Sequence, residues 1–378
     1  MVQSRVAVGV LALALTLAGS ADADQVHRER SDADVEFVVE ELASGLGVLW
    51  ALEFIDDNTL MFSERGGAIK RLQLDDDRLT EISGAPPARV RGQGGLLDIA
   101  RPRGEGSDWY YFTWVKEVDG QGVTALSRAR LEQDLLTQWQ ELLVTRSATD
   151  TSRHFGSRIA FDGKGYLYFG VGDRGHRPNG QSLATHAGSI LRLTLEGKVP
   201  EDNPFIGQPG ALPEIWSYGH RNPQGLAYDA LTDRLWENEH GPRGGDESNL
   251  IRRGGNYGWA QLSYGKEYWG PFAVGEGEER AGMVSPVKVY IPSIAPGSLL
   301  VYRGQAFPQW QGNLFSGALA LTHLNRVTLN EAGEVVAEER LLGALKERIR
   351  ALEVGPRGWL YIGTDSGRIL RLRPPAGD

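Results

Sequence analysis

Four polar groups recur at the same place in the chain, immediately ahead of an apolar run: Gln93 before Leu96, His154 before Arg158, Arg221 and Asn222 before Gly225, and Arg348 with Arg350 before Leu352. A histidine beside several arginines suits the removal of a proton while anionic groups are held nearby. Further on, Glu239-His240-Gly241-Pro242-Arg243-Gly244-Gly245-Asp246-Glu247 sets two hard carboxylates in glycine-rich chain whose carbonyls can turn inward. Such oxygen donors suit Ca²⁺. Taken singly, each group has a plainer explanation. A histidine is more often structural, Arg221-Asn222-Pro223 reads as a capped turn, and Asp246-Glu247 as a solvated loop tip. Their common phase favours the joint reading.

Other chemistries are excluded by what the chain lacks. It has no cysteine, hence no disulfide, thiolate metal site or thiol nucleophile. It has neither a G-x-S-x-G elbow nor an H-E-x-x-H zinc motif. Gly170 to Gly175 fits G-x-G-x-x-G, but His176-Arg177-Pro178-Asn179-Gly180 follows, with no helix to hold a pyrophosphate, so the match is fortuitous.

The elements that must position these groups are strands. Ala51 to Phe62, Arg158 to Phe169, Gly225 to Trp236 and Ala351 to Ile362 each read as a strand, a turn with Asp, Gly or Pro, and an aromatic-rich strand. Weaker copies lie at Leu96 to Phe112 and Ser298 to Phe315, which makes six units. Glycine supplies 49 of 378 residues, well above the usual share of about 7% and in keeping with many tight turns. A long-period repeat built from strands predicts an all-β fold, a six-bladed β-propeller with four-stranded antiparallel blades. A β-sandwich is the alternative, though it would need no self-similarity. Helical spacing is scarce, with Leu131 to Leu143 the clearest case. The last unit supplies three strands, and Val35 to Leu42 is expected to add the fourth, pairing the two chain ends and hiding the exposed sheet edges. In a propeller each innermost strand lines the channel, so the polar groups ahead of those strands converge on one mouth. The second strand returns to that face and brings the 239–247 loop with it.

Arg5, the apolar run Val6 to Ala18 and Ala21-Asp22-Ala23 read as an export signal over residues 1–23. The apolar run is too short for a membrane span. Residues 24–378 are then one propeller domain, and the protein is expected to be periplasmic or secreted. A net charge of -9 argues against nucleic acid as a partner. The composition is that of a folded chain, at 41% hydrophobic with 10 Trp. Most of these aromatic residues are expected in blade cores, with Tyr264, Tyr268 and Trp269 near enough to the mouth to stack on a flat ligand.

The stretches Gln93-Gly94-Gly95-Leu96-Leu97-Asp98, His154-Phe155-Gly156, Asp202-Asn203-Pro204-Phe205 and Trp216 to Gly225 form a recognisable set. So do Glu239 to Glu247, Asn256-Tyr257-Gly258-Trp259 and Arg348-Ile349-Arg350. Together they resemble the soluble quinoprotein sugar dehydrogenases, the glucose/sorbosone dehydrogenase-like family that includes the aldose sugar dehydrogenases. The resemblance implies a propeller holding pyrroloquinoline quinone (PQQ) over the channel mouth with Ca²⁺, and oxidation of an aldose at C1. His154 then matches the general base, and Gln93, Arg221, Asn222, Tyr268, Ala318, Arg348 and Arg350 match cofactor contacts. The carbonyls of Gly241 and Pro242 match a cofactor-side calcium site, and Glu247 with the Tyr257 carbonyl a second one. One departure stands out: relatives often carry a lysine at the cofactor where this chain reads Gly317-Ala318-Leu319-Ala320, with Ala320 in its place.

Two other classes compete. A calcium-dependent lactonase or other hydrolase would need a metal-bound water but no arginine cluster, so Arg221, Arg348 and Arg350 count against it. A non-catalytic binding propeller would need neither His154 nor the Glu247 loop. The particular aldose, the external electron acceptor and the choice between monomer and homodimer are left open by the residues.

Overall fold

The computed structural model describes residues 24–103 and 107–376; the expected export signal lies outside the described residues. Six antiparallel sheets follow one another in chain order, each running from an inner strand outwards. The first blade comprises Leu49–Asp56, Thr59–Glu64, Ile69–Gln73 and Leu79–Ile82. The second comprises Leu96–Ala100, Trp109–Val118, Gln121–Glu132 and Leu135–Val144, and the third Ile159–Phe161, Tyr166–Val171, Ser189–Thr194 and Ile215–Tyr218. The fourth is formed by Pro223–Asp229, Arg234–Glu239, Asp246–Ile251 and Lys288–Tyr290, and the fifth by Leu300–Val301, Leu314–Gly317, Leu324–Leu329 and Val335–Leu341. The sixth starts from Ile349–Val354, Leu360–Thr364 and Ile369–Arg373.

The sixth blade is completed from the other end of the chain. Glu36–Ala43 pairs antiparallel with Ile369–Arg373, placing Val39 opposite Leu372. Asp24–Arg30 then adds a fifth, outermost strand that the repeat pattern did not foretell. Inner strands of successive blades touch from the sixth through the first to the fifth, and the fifth blade's second strand meets the sixth blade's inner strand, so the sheets close into a β-propeller ring.

The packing explains why every strand pair repeats the same pattern. Apolar side chains on a blade's two faces are buried against the neighbouring blades, so the large apolar clusters sit between blades. Phe37, Trp310, Phe315 and Leu370 join the fifth blade to the sixth, and Leu52, Phe62 and Tyr361 join the sixth to the first. Met61 and Phe112 lie in the cluster between the first and second blades, Tyr168 and Leu235 in the one between the third and fourth. Each cluster removes apolar surface from water at about 25 cal/mol per Å². Blades that bury both faces in this way have little reason to exist alone.

The segment with helical spacing is not a helix. Residues 131–143 fall on two strands joined by a tight turn, where Gln133 has φ +57°. Trp139 lies tilted against Phe112 at 4.8 Å between ring centres and donates its indole N–H to the Gly84 carbonyl. Cross-strand pairing and this packing outweigh the local spacing.

Beneath the mouth the channel is crossed by one side chain. The Arg158 guanidinium donates to Asp98 at 2.6 Å and to the carbonyls of Trp50, Gly297 and Arg350 at 3.0, 3.2 and 3.3 Å. Asp98 also accepts from the Ile159 amide at 2.7 Å. A residue opening the third blade is thereby tied to the first, second and sixth blades and to the chain entering the fifth.

Candidate active site

His154 occupies the left-handed region at φ +56°, unusual for a residue with a side chain. Its side chain is 11% exposed. The conformation is held from two sides: its amide donates to Gln93 Oε1 at 2.7 Å, and its Nδ1 meets Asp173 Oδ1 at 2.6 Å. Asp173 is itself fixed, because Gly175 N donates to Oδ1 at 2.6 Å and the Trp259 indole N–H to Oδ2 at 2.7 Å. Burial pushes the His154 imidazole below its ordinary value, and the nearby Arg221 charge adds to this, while the hydrogen bond to Asp173 opposes it. The Asp173 carboxyl falls below the usual carboxylate range; its burial works against this, but the His154 bond and charge prevail. The arrangement is a neutral imidazole with Nδ1 occupied and Nε2 left as the atom able to accept a proton.

Arg221 and Asn222 are shaped by Glu239, a buried residue at the end of the fourth blade's second strand. Its Oε2 accepts from the Arg221 amide and from the Asn222 amide, the latter at 3.1 Å. Arg221 donates through Nη1 to the His240 carbonyl at 2.8 Å and lies 5.3 Å from the centre of the Trp259 ring. Its own carbonyl accepts from Asp173 N at 2.8 Å, joining the arginine's backbone to the His154 pair. Asn222 Oδ1 accepts from Gly156 N at 3.3 Å and so reaches the same loop.

On the sixth blade, Asp365 joins the other two arginines. Arg348 Nε donates to Asp365 Oδ2 at 2.8 Å, and Arg350 donates to both carboxylate oxygens, one at 3.0 Å. Arg350 is 6% exposed and lies over Trp50, 4.6 Å from the ring centre. Arg348 also donates to the Leu319 carbonyl at 2.6 Å, which links it to the fifth-blade stretch that holds Ala318 and Ala320. Ala320 is exposed there, whereas Ala318 is fully buried beside Tyr290 and Ile294 and presents only its backbone.

The 241–247 loop is folded back on its own carboxylate. Asp246 accepts from Gly241 N at 2.8 Å and from Ala295 N at 2.6 Å, and burial raises its carboxyl to about 6. Asp246 is therefore an internal brace rather than a ligand at the surface. The Pro242 carbonyl accepts from Ser293 Oγ at 3.1 Å. Tyr268 is 68% exposed on an outer hairpin beside Trp269 and Phe272. That hairpin is attached to the loop by Arg243, which pairs with the Lys266 backbone and donates to the Gly270 carbonyl at 2.6 Å.

Behind the loop is a concentration of acid. His220, Glu237 and Glu239 present ligand atoms within 4.8 Å of one another. Glu247 lies opposite Glu239 across the strand pair and lines a cleft with Tyr257, Ser263, Tyr264 and Glu278. Burial first, and repulsion from Glu239 second, push the Glu237 and Glu247 carboxyls well above the usual range. Glu237 Oε1 has no hydrogen-bond partner, and among the described residues no lysine or arginine side chain pairs with Glu237, Glu239 or Glu247. The Tyr257 hydroxyl is used between the Leu250 carbonyl and the Arg252 amide and its own amide donates to the Tyr218 carbonyl at 2.8 Å, which leaves the Tyr257 carbonyl as the atom that could meet a ligand. Uncompensated buried carboxylates of this kind fit a hard divalent cation.

The structure thus brings Gln93, His154, Arg221, Asn222 and the 241–242 turn into one bonded network, with Arg348 and Arg350 on a second network anchored by Asp365. Asp173 and Asp365, which the sequence reading passed over, both lie just past a blade's second strand, Asp173 two residues beyond Val171 and Asp365 next to Thr364. So do His240 and Ala318. That position is the second of the two places in each repeat that reach the mouth, and it is the signal by which both aspartates could have been found.

An all-β propeller with a buried His–Asp pair and buried arginines is a scaffold open to more than one reaction class, and the family match decides between them. The profile of the Glucose / Sorbosone dehydrogenase family matches residues 46–371. The chain belongs to this family and is an oxidoreductase. It is 40% identical over 347 residues to aldose sugar dehydrogenase YliI of Escherichia coli (strain K12), spanning 89% of this chain and 92% of that protein. The solved apo-form of the soluble aldose sugar dehydrogenase from Escherichia coli superposes with a TM-score of 0.85 at 38% identity, covering 89% and 99% of the two chains. The PQQ-bound form of aldose sugar dehydrogenase from Streptomyces coelicolor gives 0.74 at 26% identity, covering 90% and 98%.

Proposed function

We propose that the protein oxidises aldose sugars at C1 to lactones, using PQQ and Ca²⁺ and passing the electrons to an external acceptor. The observation that carries this reading is a buried imidazole oriented by Asp173, with Arg221 on the same bonded network and Arg348 and Arg350 held together on Asp365. The names of the relatives support sugar as substrate and PQQ as cofactor.

When bound, the quinone supplies an acceptor for the hydride leaving sugar C1. The chain supplies the rest. His154 Nε2 takes the proton of the C1 hydroxyl, while Asp173 holds Nδ1 and stabilises the imidazolium as it forms. Loss of a proton from oxygen and a hydride from carbon turns the hemiacetal into the lactone. Arg221, Arg348 and Arg350 would pair with the cofactor's carboxylates, and Asn222 and Gln93 keep the neighbouring backbone in place. Trp50 and Trp259 support two of the guanidinium groups from behind. The Gly241 and Pro242 carbonyls would hold a cofactor-side calcium, and Glu247 with the Tyr257 carbonyl a second.

In the same reading residues 1–23 are an export signal and residues 24–378 a single propeller domain working in the periplasm or outside the cell. Among the described residues no helix is long and apolar enough to cross a membrane.

The test is reconstitution. Adding PQQ and Ca²⁺ to purified apo-protein should produce aldose-dependent reduction of an artificial acceptor dye, with lactone as product. Lactone hydrolysis without dye reduction would replace the dehydrogenase by the hydrolase.

A further inference from the structure

Arg174 follows the Asp173 that orients the imidazole, and its environment is unusual. Its side chain is 0% exposed, and among the described residues no carboxylate pairs with it. The guanidinium instead donates to main-chain carbonyls: that of Arg153, that of Gly122 at 2.9 Å and that of Thr151 at 3.1 Å. It lies on the face of Phe155, 3.5 Å from the ring centre. In return the Arg174 carbonyl accepts from the Thr149 and Thr151 hydroxyls at 3.0 and 2.6 Å. Arg153 and Phe155 are the two neighbours of His154.

The two segments approach so closely that a side chain is excluded at Gly172, where a Cβ would lie 2.4 Å from the His154 carbonyl oxygen. His154 and Arg174 themselves both adopt positive φ, at +56° and +58°. A backbone held in that region by a residue with a side chain must be determined from outside itself. Gln93 grips the His154 amide and Asp173 its ring; the peptide leading into His154 is gripped by Arg174.

We infer that Arg174 is a positioning residue for the base: its buried guanidinium clamps the 149–155 loop and holds the His154 backbone in its left-handed conformation, so that Nε2 faces the site. A planar group with fixed donor directions can bind several carbonyls at once, which lysine cannot. A cation buried without a counter-ion is a poor device for stability alone. Here two of its three carbonyl acceptors, those of Arg153 and Thr151, lie on the loop that carries the base, and the third, that of Gly122, ties this loop to the second blade.

This inference rests on the proposed role of His154, and the experiment separates the two. Arg174→Met, Arg174→Lys and Thr151→Val would be compared with His154→Ala. In the metal- and cofactor-free protein, hydrogen exchange at the 149–156 amides should quicken at least tenfold in Arg174→Met, with the blade strands unchanged. In the reconstituted enzyme kcat should fall ten- to a hundredfold, with sugar KM and the quinone titration midpoint within about twofold of the parent. Arg174→Lys should recover part of the loss, and Thr151→Val should show a smaller change of the same kind. Unchanged loop exchange, or an unchanged kcat, in Arg174→Met and Arg174→Lys overturns the clamp. A kcat loss matched by an equal loss of quinone affinity also overturns it, because the arginine would then act on the cofactor. Should Arg174→Met fail to fold, Arg174→Lys and Thr151→Val carry the same comparison. Parental activity in His154→Ala would remove the base assignment, while the exchange result still decides whether Arg174 holds the loop.

Discussion

Asp173 Oδ1 and His154 Nδ1 lie 2.6 Å apart, at the end of a second strand and ahead of an inner strand of the same blade. The carboxylate raises the affinity of the imidazole for a proton, while burial lowers it, and burial prevails. A base works in its neutral form, so activity should rise with pH through the folded value of His154, which lies below the ordinary 6.5. The acid limb of kcat/KM is therefore expected on the acid side of an unperturbed histidine.

Asp173→Asn removes both effects that raise the His154 value. Its acid limb should move to lower pH, and the plateau should fall by about 10²–10⁴ as the ring loses its orientation. Steady-state pH profiles of the reconstituted variant check both. A limb that stays in place assigns the titration to another group.

Arg348 donates to Asp365 and to the Leu319 carbonyl, and half of its side chain is exposed. A charge-assisted bond is worth about 1.5–3 kcal/mol, so Arg348→Ala should weaken quinone affinity by one to two powers of ten. Titration of the apo-protein followed by cofactor fluorescence gives the midpoint. An unchanged midpoint would leave Arg348 as a tie between the fifth and sixth blades and nothing more.

Glu247 sits close to Glu239 and Asp246, and among the described residues no lysine or arginine pairs with it, although Arg280 lines the same cleft. An ion held there binds only the folded chain and raises stability by mass action, by about 2.7 kcal/mol at a hundredfold excess over its Kd. Chelation should lower the melting temperature and abolish dye reduction, and Ca²⁺ should restore both. Glu247→Gln should lower the melting temperature and blunt its response to Ca²⁺. Full activity in chelated, metal-free protein would remove calcium from this loop.

Arg158 and Asp98 form a buried pair in the channel, with side chains 12% and 3% exposed. Removing one partner leaves the other charge uncompensated, at a cost of about 3–5 kcal/mol. Arg158→Met should show this in urea unfolding, and adding Asp98→Asn should recover part of it. Simple additivity of the two single losses would show that the pair is not coupled.

Much of this was legible before any coordinates. Six copies of one strand-turn-strand pattern announce the propeller, and the common phase of Gln93, His154, Arg221 and Arg348 announces the mouth. What stayed hidden depends on the return strand. Asp173 sits inside a glycine-rich stretch that imitates a nucleotide motif, so rejecting the motif meant passing over the aspartate. Asp365 has ordinary turn residues around it, and only its two arginine partners from the strand before reveal its role. Arg158 looks like the polar start of a strand; its partners come from four separate stretches of chain that no local pattern connects. The 131–143 stretch misled for the opposite reason, since its leucine spacing suits a helix until a turn at Gln133 and the packing of Trp139 divide it.

The seam in the sixth blade governs timing as well as shape. Val39 waits for Leu372, so the ring cannot be finished until nearly the whole polypeptide is present. Contacts between such distant points are slow to form, because chain entropy must be surrendered before they return anything. The same seam delays escape. To come apart, the protein must first peel Glu36–Ala43 from between Ile369–Arg373 and Asp24–Arg30, the two strands that pair with it on either side. The molecule is in this sense a clasp: late to shut, and for that reason slow to spring open.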